Sequence, residues 1–498
     1  MLVALPIEKL KIGLSSAALN GIKNVYWSLF TLFGMVYLTD VIGLSPALAG
    51  TILFASLMFD AVVDLPLGAL LDGIRGRVRD YGSILIISAG LSSLALTAFY
   101  FFGVFSFGSL ETALLIGTLL IFRLTFSVFD LTENAIAVRV MTNPEDRTLF
   151  ASARKIAQSL TAVLLGASMG WVFQSEGDYA ARIATMALSA SVVLIALTAA
   201  CYNNLRQSDR LGATLDETKF SQRLDAIKKA PGCWMIAAAA FLEACGTTAF
   251  MSGLIYYAIV VLKDPSWVGA ALVSMTLSQV AGQPLWLWIA RRLGKIAAFG
   301  LTHGFAACAG VVFALLGQGS DVKALGLICL IGGLLGGVST LRWSLLPDII
   351  DHAARQNAVR VESGMIGLVI CAIQTGAGVA ALVLGVGLSA VGYEAGRDFL
   401  NVAPIILVVV GPFIALNGLC ALGIVLFRQQ LSQACGIRQT PIRSHNLRSE
   451  VQAKKRLNPK AANCLGFDVS HAKACPSAQM AKVAMGRKTG PRAGRART

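Results

Sequence analysis

From the N-terminus to about Phe427 the chain repeats one pattern, an apolar run followed by a short polar gap. Each run reaches the length of about 20 residues that a helix needs to cross a bilayer core. Twelve membrane-spanning helices are predicted, at 13–39, 46–71, 83–105, 111–138, 151–174, 181–203, 233–262, 267–290, 296–317, 324–347, 363–391 and 402–427. The runs are far longer than the roughly 9–11 residues of a barrel strand and do not alternate, so the predicted class is an all-α membrane protein.

Lysine and arginine in the gaps orient the helices. Eighteen fall in the gaps of one side and four (Arg182, Lys263, Lys323 and Arg397) in those of the other. Basic loops stay in the cytoplasm, so the chain is expected in the inner membrane with both termini cytoplasmic. The longest polar gap of the helical region separates six spans from six. The expected organisation is a bundle at 1–205, a cytoplasmic loop at 206–232, a second bundle at 233–428 and a basic tail at 429–498. Placing the second span on the eighth at an offset of 219 pairs Pro46 with Pro265, Gly50 with Gly269 and Leu53 with Leu272. Two halves running in the same sense are expected to hold a site between them near the midplane. The same offset puts Asp60 on Gln279 and Asp64 on Gln283, so any chemistry that needs negative charge belongs to the first half.

Composition agrees with lipid as the solvent: 56% of residues are hydrophobic, 14% are charged and the mean hydropathy is +0.69. The net charge of +15 would suggest nucleic acid, but residues 428–498 hold fifteen lysines and arginines against Glu450 and Asp468. Such a segment reads as a disordered tail leaning on anionic lipid, not as a nucleic-acid site. The ten cysteines are scattered, with no CxxC pair, and read as small apolar residues. No HExxH or GxxxxGK[ST] motif occurs, and the GxSxG string GASMG at 166–170 falls inside the fifth predicted span, so neither an enzyme nor an ATP-driven pump is expected, and no cofactor is implied.

An ionisable group inside a membrane helix costs several kcal/mol and is a functional candidate by default. The predicted spans hold few: Lys23, Asp60, Asp64, Arg123, Asp130, Glu133, Arg154, Lys155, Glu243 and Arg342. Asp60 and Asp64, four apart, share a helix face, where two like charges repel unless a cation lies between them or one is protonated. A coupling site for a proton or sodium follows, against the alternative that both acids serve in structural pairs with Lys23, Arg123 or Arg154. Asp130, Glu133 and Asn134 share a face of the fourth span, which suits the hydroxyls of a polar solute. Arg154 is a candidate bidentate donor, unless it snorkels to the interface. Glu243 and Arg342 suggest at most a pair between the halves.

Three segments resemble the glycoside-pentoside-hexuronide:cation symporters of the major facilitator superfamily: YLTDVIGLSPALAGTILFASLMFDAVVDLPLGALLD, EDRTLFASARKIAQSL and LLPDIIDHAARQNAVRVESG. The resemblance runs from about Leu10 to Phe427 and implies twelve helices in two six-helix halves. It places Asp60, Asp64 and Ser127 in a cation site, with Ser127 standing for a threonine and Val63 for an asparagine. It places Lys23, Asn24, Asp130, Asn134, Arg154 and Gln374 around the solute. Asn24 replaces a sugar-binding aspartate, Asn134 a stacking tryptophan and Gln374 a lysine, while Ser339 stands for a second tryptophan. It places Asp348, Asp351, Arg360 and Glu362 at a cytoplasmic gate. The lost ring and charges argue against a simple galactoside, and the lost asparagine oxygen favours a proton over sodium.

The expected function is cation-coupled symport of a sugar or related small polar solute by alternating access. A lysolipid or another amphiphile as cargo, or drug export, is the alternative. The expected partners are the solute and membrane lipid, and the expected state is a monomer.

Overall fold

The computed structural model describes residues 7–74, 81–102, 111–140, 144–172, 179–211, 228–357, 362–396, 399 and 401–435. Residues up to Arg438 form one compact unit. The basic tail and most of the central loop lie outside the described residues.

In lipid no water bonds the backbone, so each segment must satisfy its own amides. Among the described residues twelve long helices do so. The first, α1 (Ile7–Ser28), continues through a π turn at Leu29–Phe33, one α turn at Gly34–Val36 and a second π turn at Tyr37–Val41. There follow α2 (Pro46–Ile74), α3 (Gly82–Phe101), α4 (Glu111–Val140), α5 (Pro144–Val172) and α6 (Tyr179–Leu211). The second half comprises α7 (Pro231–Tyr257, extended by a π turn at Ala258–Leu262), α8 (Trp267–Leu293), α9 (Lys295–Leu316), α10 (Asp321–Asn357), α11 (Glu362–Ala390) and α12 (Ala403–Leu426). A short α13 (Arg428–Ala434) ends the described chain. Local chemistry sets the boundaries. Prolines open α2, α5 and α7, where a missing N–H costs nothing. Gly294, at φ +89°, turns the chain between α8 and α9.

Among the described residues nine helices are long and apolar enough to cross a membrane. The exceptions, α1, α5 and α8, carry Lys23, Arg154 and the Gln279/Gln283 pair. Leu94, Val192, Leu315, Leu407 and Val425 are 63–71% exposed, which fits a surface that faces lipid tails.

Packing repeats six helices on. The contacts α1–α5, α2–α4, α3–α6 and α3–α4 recur as α7–α11, α8–α10, α9–α12 and α9–α10. The halves meet along α2–α11 and α5–α8, which are also repeat mates. Both seams are tightest where α2 and α8 begin, at the end of the molecule poor in basic residues. A Cβ on Gly50 would lie 2.5 Å from the Ala381 carbonyl oxygen, and one on Gly385 2.3 Å from that of Pro46. A Cβ on Gly269 would lie 2.6 Å from the Gly170 nitrogen and 2.9 Å from the Gly166 oxygen. Only glycine lets these backbones approach so closely.

Candidate functional site

Three helices of the first half, α1, α4 and α5, bring charges together. Lys23 on α1 bonds Asp130 at 2.9 Å and Glu133 at 3.1 Å, both on α4. Arg154 on α5 bonds the same Glu133 oxygen at 2.8 Å. Asn134 ties the set together, donating to Asp130 at 2.9 Å and accepting from Arg154 at 3.1 Å. Glu133 is 1% exposed, whereas Lys23, Asp130 and Arg154 show 17–20% of their side chains. The result is a layered network, a buried carboxylate bonded to two half-buried cations, with a third half-buried charge, Asp130, beside it. Two cations held by two acids stay oriented, and their remaining donors and acceptors suit vicinal hydroxyls. The spacing of Asp130 and Glu133 put both on one face, but the sequence could not show that Glu133 is the shared partner of two cations.

The two acids of α2 differ. Asp60 is 1% exposed, and both its oxygens are taken by Arg123 of α4, through Nε at 3.1 Å and through Nη2. Arg123 is fully buried and lies over the Phe30 ring at 4.7 Å and the Trp27 ring at 5.6 Å, so Asp60 is its only described counter-charge in direct contact. Asp64 makes no such pair. It lies within hydrogen-bonding reach of Ser127 on α4 and Gln374 on α11. Its Oδ1 is buried without a hydrogen-bond partner, and such an oxygen is costly unless something binds there. The carboxylate, the Ser127 hydroxyl and the Gln374 amide are all oxygen donors, which a hard cation accepts, and a proton on Asp64 would equally relieve the orphaned atom.

The remaining candidates fall in different places. Asn24 is 8% exposed and faces α5, exchanging bonds with Gln158 and Thr161 at 3.0–3.2 Å. Gln374 of α11 lies beside Asp64. At the basic end Asp348 bonds Lys295 at 2.6 Å, an unforeseen partner. Asp351 is exposed, and its backbone oxygen accepts from Arg355. Arg360 and the side chain of Glu362 lie outside the described residues. Glu243 and Arg342 do bond each other, but α7 and α10 belong to the same half, which corrects the expectation of a pair between halves.

A second interhalf contact went unread in the sequence. At the end of α1, Thr39 bonds Tyr256 at 2.9 Å, while Asp40 accepts from Thr39 at 2.7 Å and from Tyr393 at 3.0 Å. Ending the first predicted span at residue 39 left Asp40 out of the membrane and hid this latch. Eight residues earlier along the same chain segment, Ser252 of α7 donates to the Thr31 carbonyl at 3.1 Å.

Comparison with known proteins bears on the family and the fold. The sequence family described as MFS/sugar transport protein matches residues 13–429. The glucuronide carrier protein homolog of Escherichia coli (strain K12) is 25% identical over 346 residues, covering 68% of this chain and 74% of that protein. A protein of the same strain named for sulfoquinovose import is 21% identical over 409 residues, covering 77% and 83%. Among solved structures the nucleoside transporter NupG superposes with a TM-score of 0.55 at 14% identity over 86% of this chain and 99% of its own, which bears on the fold. The chain is therefore a multi-pass membrane transporter that belongs to the MFS/sugar transport protein family, the glycoside-pentoside-hexuronide branch of the major facilitator superfamily.

Proposed function

We propose that this transporter couples a sugar or related small polar solute to a proton or sodium ion and moves both by alternating access. The observation that carries the reading is the convergence of Lys23, Asp130, Glu133 and Arg154 from three helices, close to a carboxylate, Asp64, with a buried oxygen that no group bonds. Asp64 is the cation ligand, with Ser127 and Gln374 as further oxygen donors. Asp60 holds Arg123 and so shapes the site from behind. Val63, where the family pattern has an asparagine, leaves the oxygen shell poor, which favours a proton. Gln374 comes from the other half, so neutralising Asp64 alters a contact across the seam. The basic loops put both termini in the cytoplasm of a cell with an inner membrane, and on that reading the glycine crossings close the periplasmic end. One chain contains the whole site and works as a monomer among lipids.

The solute site is tested by a double-mutant cycle on Asp130 and Arg154, which Asn134 bridges. Asp130→Asn and Arg154→Gln are each expected to weaken solute binding, with a coupling of about 0.5–3 kcal/mol between them. Calorimetric titration of purified parent, single and double variants measures it. Parental affinity in both single variants would place the solute elsewhere.

A further inference from the structure

An asparagine that the proposed mechanism does not use holds the arginine of the charged network. Asn20 lies one turn before Asn24 on α1, and the hydrogen-bond network orients its amide. Its nitrogen donates to the Arg154 carbonyl at 3.2 Å, and its oxygen accepts from Arg154 Nη2 at 3.0 Å. Asn24 grips the residue four further along α5 in the same manner. Its nitrogen donates to the Gln158 carbonyl and its oxygen accepts from the Gln158 side chain, both at 3.2 Å. Two asparagines four apart on α1 thus clamp two residues four apart on α5, each at backbone and side chain together.

The fold does not need such clamps to join these two helices. At the 219-residue offset Asn20 falls on Ala239, Arg154 on Ile373 and Gln158 on Ala377, so the second half joins α7 to α11 through small and apolar residues. A Cβ on Gly376 of α11 would lie 2.5 Å from the Phe241 oxygen of α7, a backbone approach that needs no polar side chain. The first half departs from that solution on the face of α5 that carries Arg154. There the guanidinium is held unevenly. Nη2 has two hydrogens and meets three acceptors, Glu133 at 2.8 Å, Asn20 at 3.0 Å and Asn134 at 3.1 Å. Nη1 and Nε carry the other three hydrogens and bond none of the described residues, and the side chain is 17% exposed. Glu133 and Asn134 reach Nη2 from α4 and Asn20 reaches it from α1, so a rotation that exchanged Nη1 for Nη2 would break bonds to both helices.

We propose that Asn20 is a positioning residue of the solute site, fixing Nη2 of Arg154 and leaving Nη1 and Nε as the donors that meet the solute. This rests on the reading that Arg154 contacts the solute, and it adds which nitrogens do so and what holds the third.

The test is calorimetric titration of the full-length protein with D-glucuronate and D-glucose, the one that binds the parent more tightly serving as the probe. Asn20→Ala copies the residue that the second half has at this place, so it is expected to fold. It should bind the probe about tenfold more weakly, the scale of one hydrogen bond to a charged group. Asn20→Asp keeps an oxygen for Nη2 and is expected to recover most of that loss. With Arg154→Gln already present no guanidinium is left to position, and Asn20→Ala should then change affinity less than about twofold. Gln158→Leu opens the neighbouring clamp and should keep affinity within about twofold of the parent, since it leaves Nη2 held. Parental affinity in Asn20→Ala, an undiminished loss when Arg154→Gln is present, or an equal loss from Gln158→Leu would mean that Asn20 only packs α1 on α5. A parent that binds neither sugar overturns the sugar-symport reading, and the positioning role with it.

Discussion

Asp64→Asn is expected to abolish accumulation of solute driven by a cation gradient, while leaving the protein folded and inserted. The amide cannot be neutralised by a proton and is a poorer ligand for sodium, and no ion pair is broken, since Asp64 contacts Ser127 and Gln374 and not a cation. Downhill exchange of solute should survive, because the network on α1, α4 and α5 is untouched. Asp60→Asn should behave differently. It strips Arg123, fully buried, of its counter-charge, and an uncompensated buried charge costs about 3–5 kcal/mol. That variant should unfold at a lower temperature, and a paired Asp60→Asn, Arg123→Gln change should recover stability. Uptake into vesicles under an imposed proton or sodium gradient, read beside thermal unfolding, separates the two acids. Parental accumulation by Asp64→Asn would remove the cation site from α2.

Gly269→Val is expected to stop turnover for a steric reason far from the charged network. Its Cβ would come within 2.6–2.9 Å of backbone atoms of Gly170 and Gly166, which cannot swing aside as a side chain does. Overpacking costs about 1–3 kcal/mol, which lowers the population of the closed arrangement about 5–150-fold. Gly50→Val, on the other seam, should do the same, since the Ala381 oxygen would be 2.5 Å from its Cβ. Solute should still bind from the end held open, so transport falls while affinity persists. Gly90 has nothing within 4 Å of its position, and Gly90→Ala is the control expected to transport normally. Transport by Gly269→Val at the parental rate would mean that this seam need not close.

Much of the fold was legible because lipid imposes one rule, that apolar runs of spanning length become helices. The pairing of those helices was legible only through the repeat, and there the sparse matches at Gly50 and Gly269 turned out to mark the two seams. The site was partly legible. Lys23, Asp130, Asn134 and Arg154 converge as their residue types suggested. What sequence spacing leaves open is how each helix is rotated about its axis. That freedom turned Asn24 to α5, brought Gln374 to Asp64, gave Asp60 wholly to Arg123 and turned Glu243 and Arg342 toward each other. Polarity alone cannot distinguish a carboxylate that meets solute from one that orients an arginine, because both occupy an apolar helix at the same apparent cost.

The ion pairs described above share a property that bears on motion. Lys23 with Asp130 and Glu133, Arg154 with Glu133, and Arg123 with Asp60 close within the first half, and Arg342 with Glu243 and Lys295 with Asp348 within the second. Among the described residues the halves touch instead through glycine backbones, apolar side chains and a few polar contacts, such as the bonds of Ser252 to Thr31 and of Tyr393 to Asp40 and the approach of Gln374 to Asp64. Sliding one half against the other breaks none of those ion pairs, so the barrier contains no charge-separation step from them. The rate of the rocking motion should then vary little with ionic strength, which screens charge pairs and leaves backbone contact unchanged.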